Sequence, residues 1–305
     1  MTNIKLLLII PIFIIINDKW FKILTVASNN GTCTNILKNH KCLKPSQSTT
    51  NNYFVLKKYK LNVCSIGKNF SSMIGAIFCY LFDDKHFLSK HKHLNEDFWA
   101  TRACGKKITQ KNFIKLSMKV NRKRVKHFKK YYKHFIIIRN PVERFLSGFT
   151  HLCIKTMNEH PSLSSCSNCK GNMECVLRNL YSKLKKYSHN REGTTNHMRI
   201  HFFPQTWLCE YNRFKSLYTI IKYDSNDKEG FYSSLLKLFK SQEVPDKKLD
   251  YINWEVHHLK SYHSTNGTSL LEKQRKILYK NSFLLKLLTI IYYDDFKEFN
   301  YDLPF

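Results

Sequence analysis

The chain has 305 residues, enough for one α/β domain with a true core. Lys and Arg number 51 against 22 Asp and Glu, a formal net charge of +29. That is far beyond what solubility needs, so it selects polyanionic partners (nucleic acid, anionic lipid, sulfated or uronate-bearing glycans) without choosing among them.

Residues 6–16 are continuously apolar after Lys5. The run is too short for a membrane-spanning helix, which needs about 20 residues, and it suits the core of a signal peptide. Thr25-Val26-Ala27-Ser28 offers small residues for cleavage. Trp20, Phe21 and Ile23 to Val26 would instead extend the run into an uncleaved signal anchor, interrupted by Asp18 and Lys19. Both readings of residues 1–28 deliver the rest of the chain to the secretory lumen. Residues 29–52, rich in Asn, Ser and Thr, read as a polar stem or linker, with the folded domain at 53–305. Asn30-Gly31-Thr32 and Asn266-Gly267-Thr268 are glycosylation sequons. A third, Asn69-Phe70-Ser71, falls inside a functional motif and is expected to stay unmodified.

Residues 53–64 gain strand character toward their end. Ser65-Ile66-Gly67-Lys68-Asn69-Phe70-Ser71-Ser72 comes next, and then an apolar helical run from Ile74 to Leu81. Strand, Gly-Lys loop and helix make the geometry of a phosphate cradle. Backbone N–H groups at the helix start face the anion, and the Lys reaches its outer group. The first Gly of a Walker A loop is absent and Asn69 follows the Lys, so this is not a P-loop; a surface Gly-Lys turn is the plain alternative. Residues 85–134 are basic, and Asn121 to Lys130 resembles a heparin or nucleic-acid patch. A solvated helix face explains the same residues, and nucleic acid does not suit a lumenal protein.

Phe135 to Ile138 is a short β-branched run that reads as a buried strand. Arg139-Asn140-Pro141 breaks it, with Asn140 as N-cap and Pro141 in the first turn of a helix that runs to about Met157. Arg139 therefore stands at the carboxyl end of a strand, where open α/β sheets bind ligands. Its planar fork matches a phosphate, and Ser147, two turns on, adds a hydroxyl. A helix cap or a carboxylate pair is the alternative for Arg139.

Ten Cys are present, at 33, 42, 64, 79, 104, 153, 166, 169, 175 and 209. Cys166, Cys169 and Cys175 have zinc-like spacing but no second pair, and a secretory N-terminus favours disulfides. They are expected to bond among themselves or with Cys153 and Cys209. Residues 173–187 have helical spacing, 218–223 read as a further buried strand, 231–239 as an amphipathic helix, and 284–299 as an aromatic-rich helix that packs on the core. His257, His258 and His263 lack a carboxylate or Cys at ligand spacing.

Arg139-Asn140-Pro141-Val142-Glu143-Arg144-Phe145-Leu146-Ser147-Gly148-Phe149 resembles the 3′-phosphate motif of the Golgi carbohydrate sulfotransferase family, nearest to its chondroitin 4-O-sulfotransferase-like branch. The 65–72 loop resembles the 5′-phosphosulfate loop of the same family, His201-Phe202-Phe203-Pro204-Gln205 its acceptor-side segment, and 257–265 a segment that closes over the cofactor. The resemblance implies a three-layer α/β fold, a parallel sheet flanked by helices akin to P-loop kinases. It implies 3′-phosphoadenosine-5′-phosphosulfate (PAPS) as co-substrate and no metal. Gly67, Lys68, Asn69, Ser71 and Ser72 would hold the 5′ end, with Lys68 on the leaving phosphate, and Arg139 and Ser147 the 3′-phosphate. His201 would be the base, with His197 the next candidate and a core role the alternative. The acceptor would be an acidic, chondroitin-type glycosaminoglycan in the Golgi lumen, with no nucleic-acid partner. Two residues depart from the family pattern: Asn140 replaces the usual Asp, and Gly67 stands where many relatives have Pro. Those departures leave open a secreted glycan-binding protein without catalysis. A lumenal kinase is disfavoured by the missing Walker A Gly and the lack of an Asp to hold Mg²⁺.

Overall fold

The computed structural model describes residues 33, 36–37, 40–99, 101–121, 125–156, 166–225, 227–260, 265 and 267–305. The apolar run at 6–16, two sequons at Asn30 and Asn266, part of the basic patch (122–124), and His263 lie outside them. All the described residues belong to one compact unit, Thr32–Phe305. Among them, no helix is long and apolar enough to cross a membrane.

Five strands form one sheet: β1 (Tyr53–Leu56), β2 (Leu61–Cys64), β3 (Thr109–Gln110), β4 (Lys133–Arg139) and β5 (Tyr218–Tyr223), in the order β3-β1-β2-β4-β5. The β2-β4-β5 part is parallel, as expected. The rest is not: β1 pairs antiparallel with both β2 and β3, so the sheet is mixed. The link from Leu56 to Leu61 is too short for a crossover, which takes a dozen residues or more, so it turns back as a hairpin. Lys60, at φ +48°, closes that turn.

Alternation along the strands builds two cores, one on each face. Tyr53, Val55, Ile136 and Ile138 face one side, and Phe54, Leu56, Phe135 and Ile137 the other. Helix α1 (Ser71–Phe82) packs on the second face. Helices α2 (Phe113–Asn121), α3 (Val125–Tyr131), α4 (Pro141–Phe149), α5 (Met173–Asn190) and α6 (Asn196–Phe202) supply residues to the first. Helices α7 (Lys228–Lys240) and α8 (Asp246–His258) return to the second face, and α9 (Ser269–Lys280), α10 (Ser282–Ile291) and α11 (Tyr293–Glu298) to the first. The layering is helix, sheet, helix, which is why β4 is apolar on both sides.

All ten cysteines are paired: Cys33–Cys42, Cys64–Cys209, Cys79–Cys104, Cys153–Cys166 and Cys169–Cys175. Paired sulfurs are not thiolate ligands, which removes the zinc alternative. Cys209 does not join the 153–175 cluster, as one expectation had it. It bonds Cys64 at the end of β2, because the sheet brings that strand end beside the segment after α6. Residues 43–52, the second half of the stretch read as a stem, lie against the domain. Leu43 is buried, Ser48 N donates to Trp207 O at 2.7 Å, and Thr49 N to Tyr187 Oη at 3.3 Å. Asn69 is 1 % exposed, which leaves its sequon no room for a glycan.

Candidate active site

Parallel pairing sets the carboxyl ends of β2 and β4 side by side, with Cys64 opposite Ile136, and Arg139 opposite Tyr223 of β5. The 65–70 loop leaves β2 here. Lys68 (φ +70°) and Phe70 (φ +62°) both sit in the left-handed region, a strained arrangement that clusters at functional sites. Phe70 occupies the N-cap of α1 and provides no side-chain acceptor, and the first turn holds no acid. The amides of Ser71 and Ser72 thus open a helix whose positive end has no side-chain cap.

Gly67 is required by crowding. A Cβ there would stand 2.5 Å from the Ile200 carbonyl oxygen, which excludes the Pro that the resemblance led one to expect. Its own carbonyl accepts from Arg144 Nε at 3.0 Å. The same buried guanidinium donates through Nη1 to Phe203 O (2.7 Å) and through Nη2 to Ile200 O (3.3 Å). Arg144 therefore clamps the 65–70 loop to the end of α6. The motif reading passed over it. The available signal was Gly148, which shares its face at i+4 and leaves room for the Phe202 ring of α6.

Asn69 does not line the site, contrary to the expectation. Its Nδ2 donates to Ile137 O at 3.0 Å and to Gln205 Oε1, and its N–H closes a turn on Ile66 O at 3.1 Å. Gln205 joins the two loops: Oε1 also accepts from Arg139 N (3.0 Å), and Nε2 donates to Arg139 O (2.9 Å). Buried Asp295 anchors this segment by accepting from the N–H groups of Gln205 (2.7 Å) and Thr206 (2.9 Å).

Arg139 is 5 % exposed, and its Nη1 donates to Lys68 O at 3.3 Å. Its guanidinium lies over the Tyr223 ring at 5.2 Å. Glu143 stands 3.9 Å away, but Arg275 holds that carboxylate with a two-pronged grip. The Nε of Arg139 is buried without a partner among the described residues. The fork thus keeps only a long ion pair to a carboxylate that Arg275 holds more closely. Asn140 does the capping: its Oδ1 accepts from Val142 N (2.9 Å) and Glu143 N (3.3 Å), as the carboxylate of an Asp would. Ser147 Oγ lies 3.3 Å from Thr265 Oγ1, within the segment expected to close over a cofactor.

Lys68 Nζ is 3.1 Å from His151 Nδ1. Burial, with Arg139 and Arg144 adding repulsion, pushes the ammonium down to about 7. His151 escaped the sequence reading. It comes after α4 in a π-helical turn, Thr150–Lys155, and turns of this kind recur at functional sites. Its position four residues after Ser147 was the legible clue. His201 Nδ1 donates to His197 O at 2.8 Å, which fixes the tautomer and leaves the lone pair on Nε2. Burial, then Lys68 and His197, hold this imidazole well below its usual range, so it is neutral.

These groups meet in one cavity of about 530 Å³, a size typical of ligand sites. Gly67, Lys68, Ser71, Ser72, Arg139, Ser147, His197 and His201 all line it, as do His151, Tyr223 and Thr265. No carboxylate does, among the described residues. His257 stands elsewhere, in an exposed pair with Glu229 at 2.9 Å.

Residues 51–302 match the sulfotransferase family model. The chain is 27 % identical over 256 residues, 83 % of its length and 76 % of the relative's, to the Caenorhabditis elegans carbohydrate sulfotransferase chst-1. It is 29 % identical over 265 residues (86 % and 72 %) to the uncharacterized protein C18B2.2 of the same organism. To the putative sulfotransferase vep-2, also of Caenorhabditis elegans, it is 29 % identical over 214 residues (70 % and 65 %). No solved structure matches. A match over most of the domain, on a fold whose two strand ends share one anion-seeking cavity, shows that the chain belongs to the sulfotransferase family.

Proposed function

We propose that this sulfotransferase uses PAPS to sulfate a hydroxyl of an acidic, chondroitin-type glycan, and that it works in the Golgi lumen. The single observation that carries the reading is Arg139. Its charge is buried, its ion pair to Glu143 is long and shared with Arg275, its Nε has no partner among the described residues, and it stands in the same cavity as Lys68. A buried cation compensated only at that distance has capacity for a closer anion. The residues present fit PAPS: Arg139 and Ser147 would hold its 3′-phosphate, and Lys68 with the amides of Ser71 and Ser72 its 5′ end. When bound, it supplies the activated sulfuryl group.

The chain's own work is positioning and charge compensation. Lys68 would compensate the charge that grows on the leaving phosphate, and His151 Nδ1 steadies its amine. His201 Nε2, neutral and with its tautomer fixed by the His197 carbonyl, takes the acceptor proton. The Asn140 and Gly67 departures, which had favoured a non-catalytic glycan-binding protein, each have a local structural cause.

The test is incubation of the purified protein with radiolabelled PAPS and a panel of desulfated glycosaminoglycans. Label should pass to chondroitin-type chains. Transfer to no glycan by a protein that binds nucleotide would overturn the catalytic reading. Arg139→Ala should abolish retention on an immobilised 3′,5′-bisphosphate nucleotide; unchanged retention would remove the residue's assigned role.

A further inference from the structure

Glu143 has the wrong charge for its place. It precedes Ser147 by one turn on α4 and follows Arg139 by four residues, so it stands between the two groups assigned to a phosphate. Its side chain is only 17 % exposed, so water screens it little. A carboxylate there competes with the anion for the Arg139 guanidinium and repels the anion as well. Glu and Arg four apart pair readily, yet Glu143 Oε2 is 3.9 Å from Arg139 Nη2, at the outer limit of an ion pair.

Arg275 accounts for that distance. Its Nη1 and Nη2 donate to the two oxygens of Glu143, the second at 3.0 Å. A guanidinium that meets a carboxylate with both prongs makes the strongest side-chain contact open to it. The direction of the guanidinium is set from behind, where Nε lies 3.3 Å from Glu272 on the preceding turn of α9. Helix α9 is itself fixed. It packs against α4, and Leu271 and Leu278 bury its inner face in the first core. At its start, Thr268 Oγ1 donates to Thr265 O at 2.8 Å, and Thr265 Oγ1 lies 3.3 Å from Ser147 Oγ. The 265–280 stretch therefore meets α4 at two points one turn apart, Ser147 and Glu143. Neither Glu143 nor Arg275 lines the cavity.

We infer that Arg275 is a positioning residue for the nucleotide's 3′-phosphate: it holds the Glu143 carboxylate back from Arg139 and so leaves the Arg139 fork open to the anion. Arg275 acts through Glu143. With it, the trio of Arg139, Glu143 and Arg275 carries one net positive charge; without it, Glu143 closes on Arg139 and the pair is neutral. The inference rests on the sulfotransferase reading, which puts the 3′-phosphate on Arg139, and adds a residue that lies outside both phosphate motifs.

The test measures Kd on the full chain for adenosine 3′,5′-bisphosphate and for adenosine 5′-phosphate, which lacks the 3′ group. Arg275→Gln should raise the bisphosphate Kd about tenfold or more, because binding must then break a charge-assisted pair between Glu143 and Arg139. The 5′-phosphate Kd should not move. Glu143→Gln with Arg275→Gln should bring the bisphosphate Kd back close to wild type, and Glu143→Gln alone should not weaken it. The Tm of each variant separates this from a brace between helices. Arg275→Gln and the double variant both lose the α4–α9 tie and should melt alike, yet only the double variant recovers affinity. Unchanged bisphosphate affinity in Arg275→Gln, a loss that the double variant keeps, or an equal loss for both nucleotides overturns the inference and leaves the sulfotransferase reading standing. A wild-type chain that binds no bisphosphate, or binds it no better than the 5′-phosphate, overturns the underlying reading and this one with it.

Discussion

Lys68 is held near neutrality by its surroundings, at about 7, because burial and two guanidiniums disfavour its charge. A bound phosphate reverses that balance and returns the proton. Between about pH 7 and the ordinary Lys range near 10.4, the anion-free amine is neutral and the anion-bound amine is charged. Nucleotide binding in that window should therefore take up as much as about one proton and weaken as pH rises. Calorimetry at pH 8 in two buffers of different ionisation enthalpy checks this. Zero uptake by the wild-type chain, or uptake that persists in Lys68→Met, contradicts it. For His201 the expectation is kinetic: His201→Ala should lower kcat by about 10² or more, and a near-normal kcat would move the base to His197. Lys68, Arg139, Ser147 and His201, which line one cavity, were legible as candidates because motif residues announce their charge. Which way a neighbour points was not. Asn69 sits beside Lys68 in a phosphate-type loop, yet two left-handed residues turn it inward to Gln205. Arg144 and His151 look like solvated or incidental residues until the backbones of Gly67 and Lys68 are in place.

At the level of elements, the site is two loops and a short helix held in register by a clamp. Arg144 donates to carbonyls from both the 65–70 loop and the α6 end, and no other cation geometry reaches all three. Arg144→Lys keeps the charge and loses the fork. It should cost about 2 kcal/mol or more, read as a fall in Tm of about 4–8 °C, and it should weaken nucleotide binding by releasing the loop. A Tm unchanged from wild type would mean the clamp carries nothing. The elements themselves were readable in part. β4 and α4 were, since a β-branched run, an Asn cap and a Pro at the helix start mark each boundary. The β1-β2 hairpin was not. Its turn, Lys57-Lys58-Tyr59-Lys60, has no Gly or Asn, and Lys60 adopts the left-handed conformation that such turns usually assign to those residues. That missed hairpin also hid the part of the cavity wall where Asn52 and Lys111 lie.

Across the whole molecule, the charges divide into two kinds that respond differently to salt. Arg139 and Arg144 are buried, and Lys68 is screened by the cavity wall; the lysines of the α2 edge are exposed. Ion screening acts strongly on the second kind and weakly on the first. The cysteine pairings, which spacing alone left open, brace this division. The Cys64–Cys209 bond ties the end of β2 to the segment after α6, and so keeps the loop with Lys68 against the segment that positions Arg139. Five disulfides also suit the oxidising lumen in which the enzyme is proposed to act. If the nucleotide is held by the buried set and the acceptor by the exposed set, their affinities must separate as salt rises. Raising salt from 50 to 200 mM should weaken acceptor binding by about 30-fold or more for three released counterions. The nucleotide Kd should change far less. Measuring both constants on one preparation at the two salt concentrations decides it. Parallel losses would mean that the two ligands lean on the same exposed lysines, and the assignment of buried cations to one and surface cations to the other would fail.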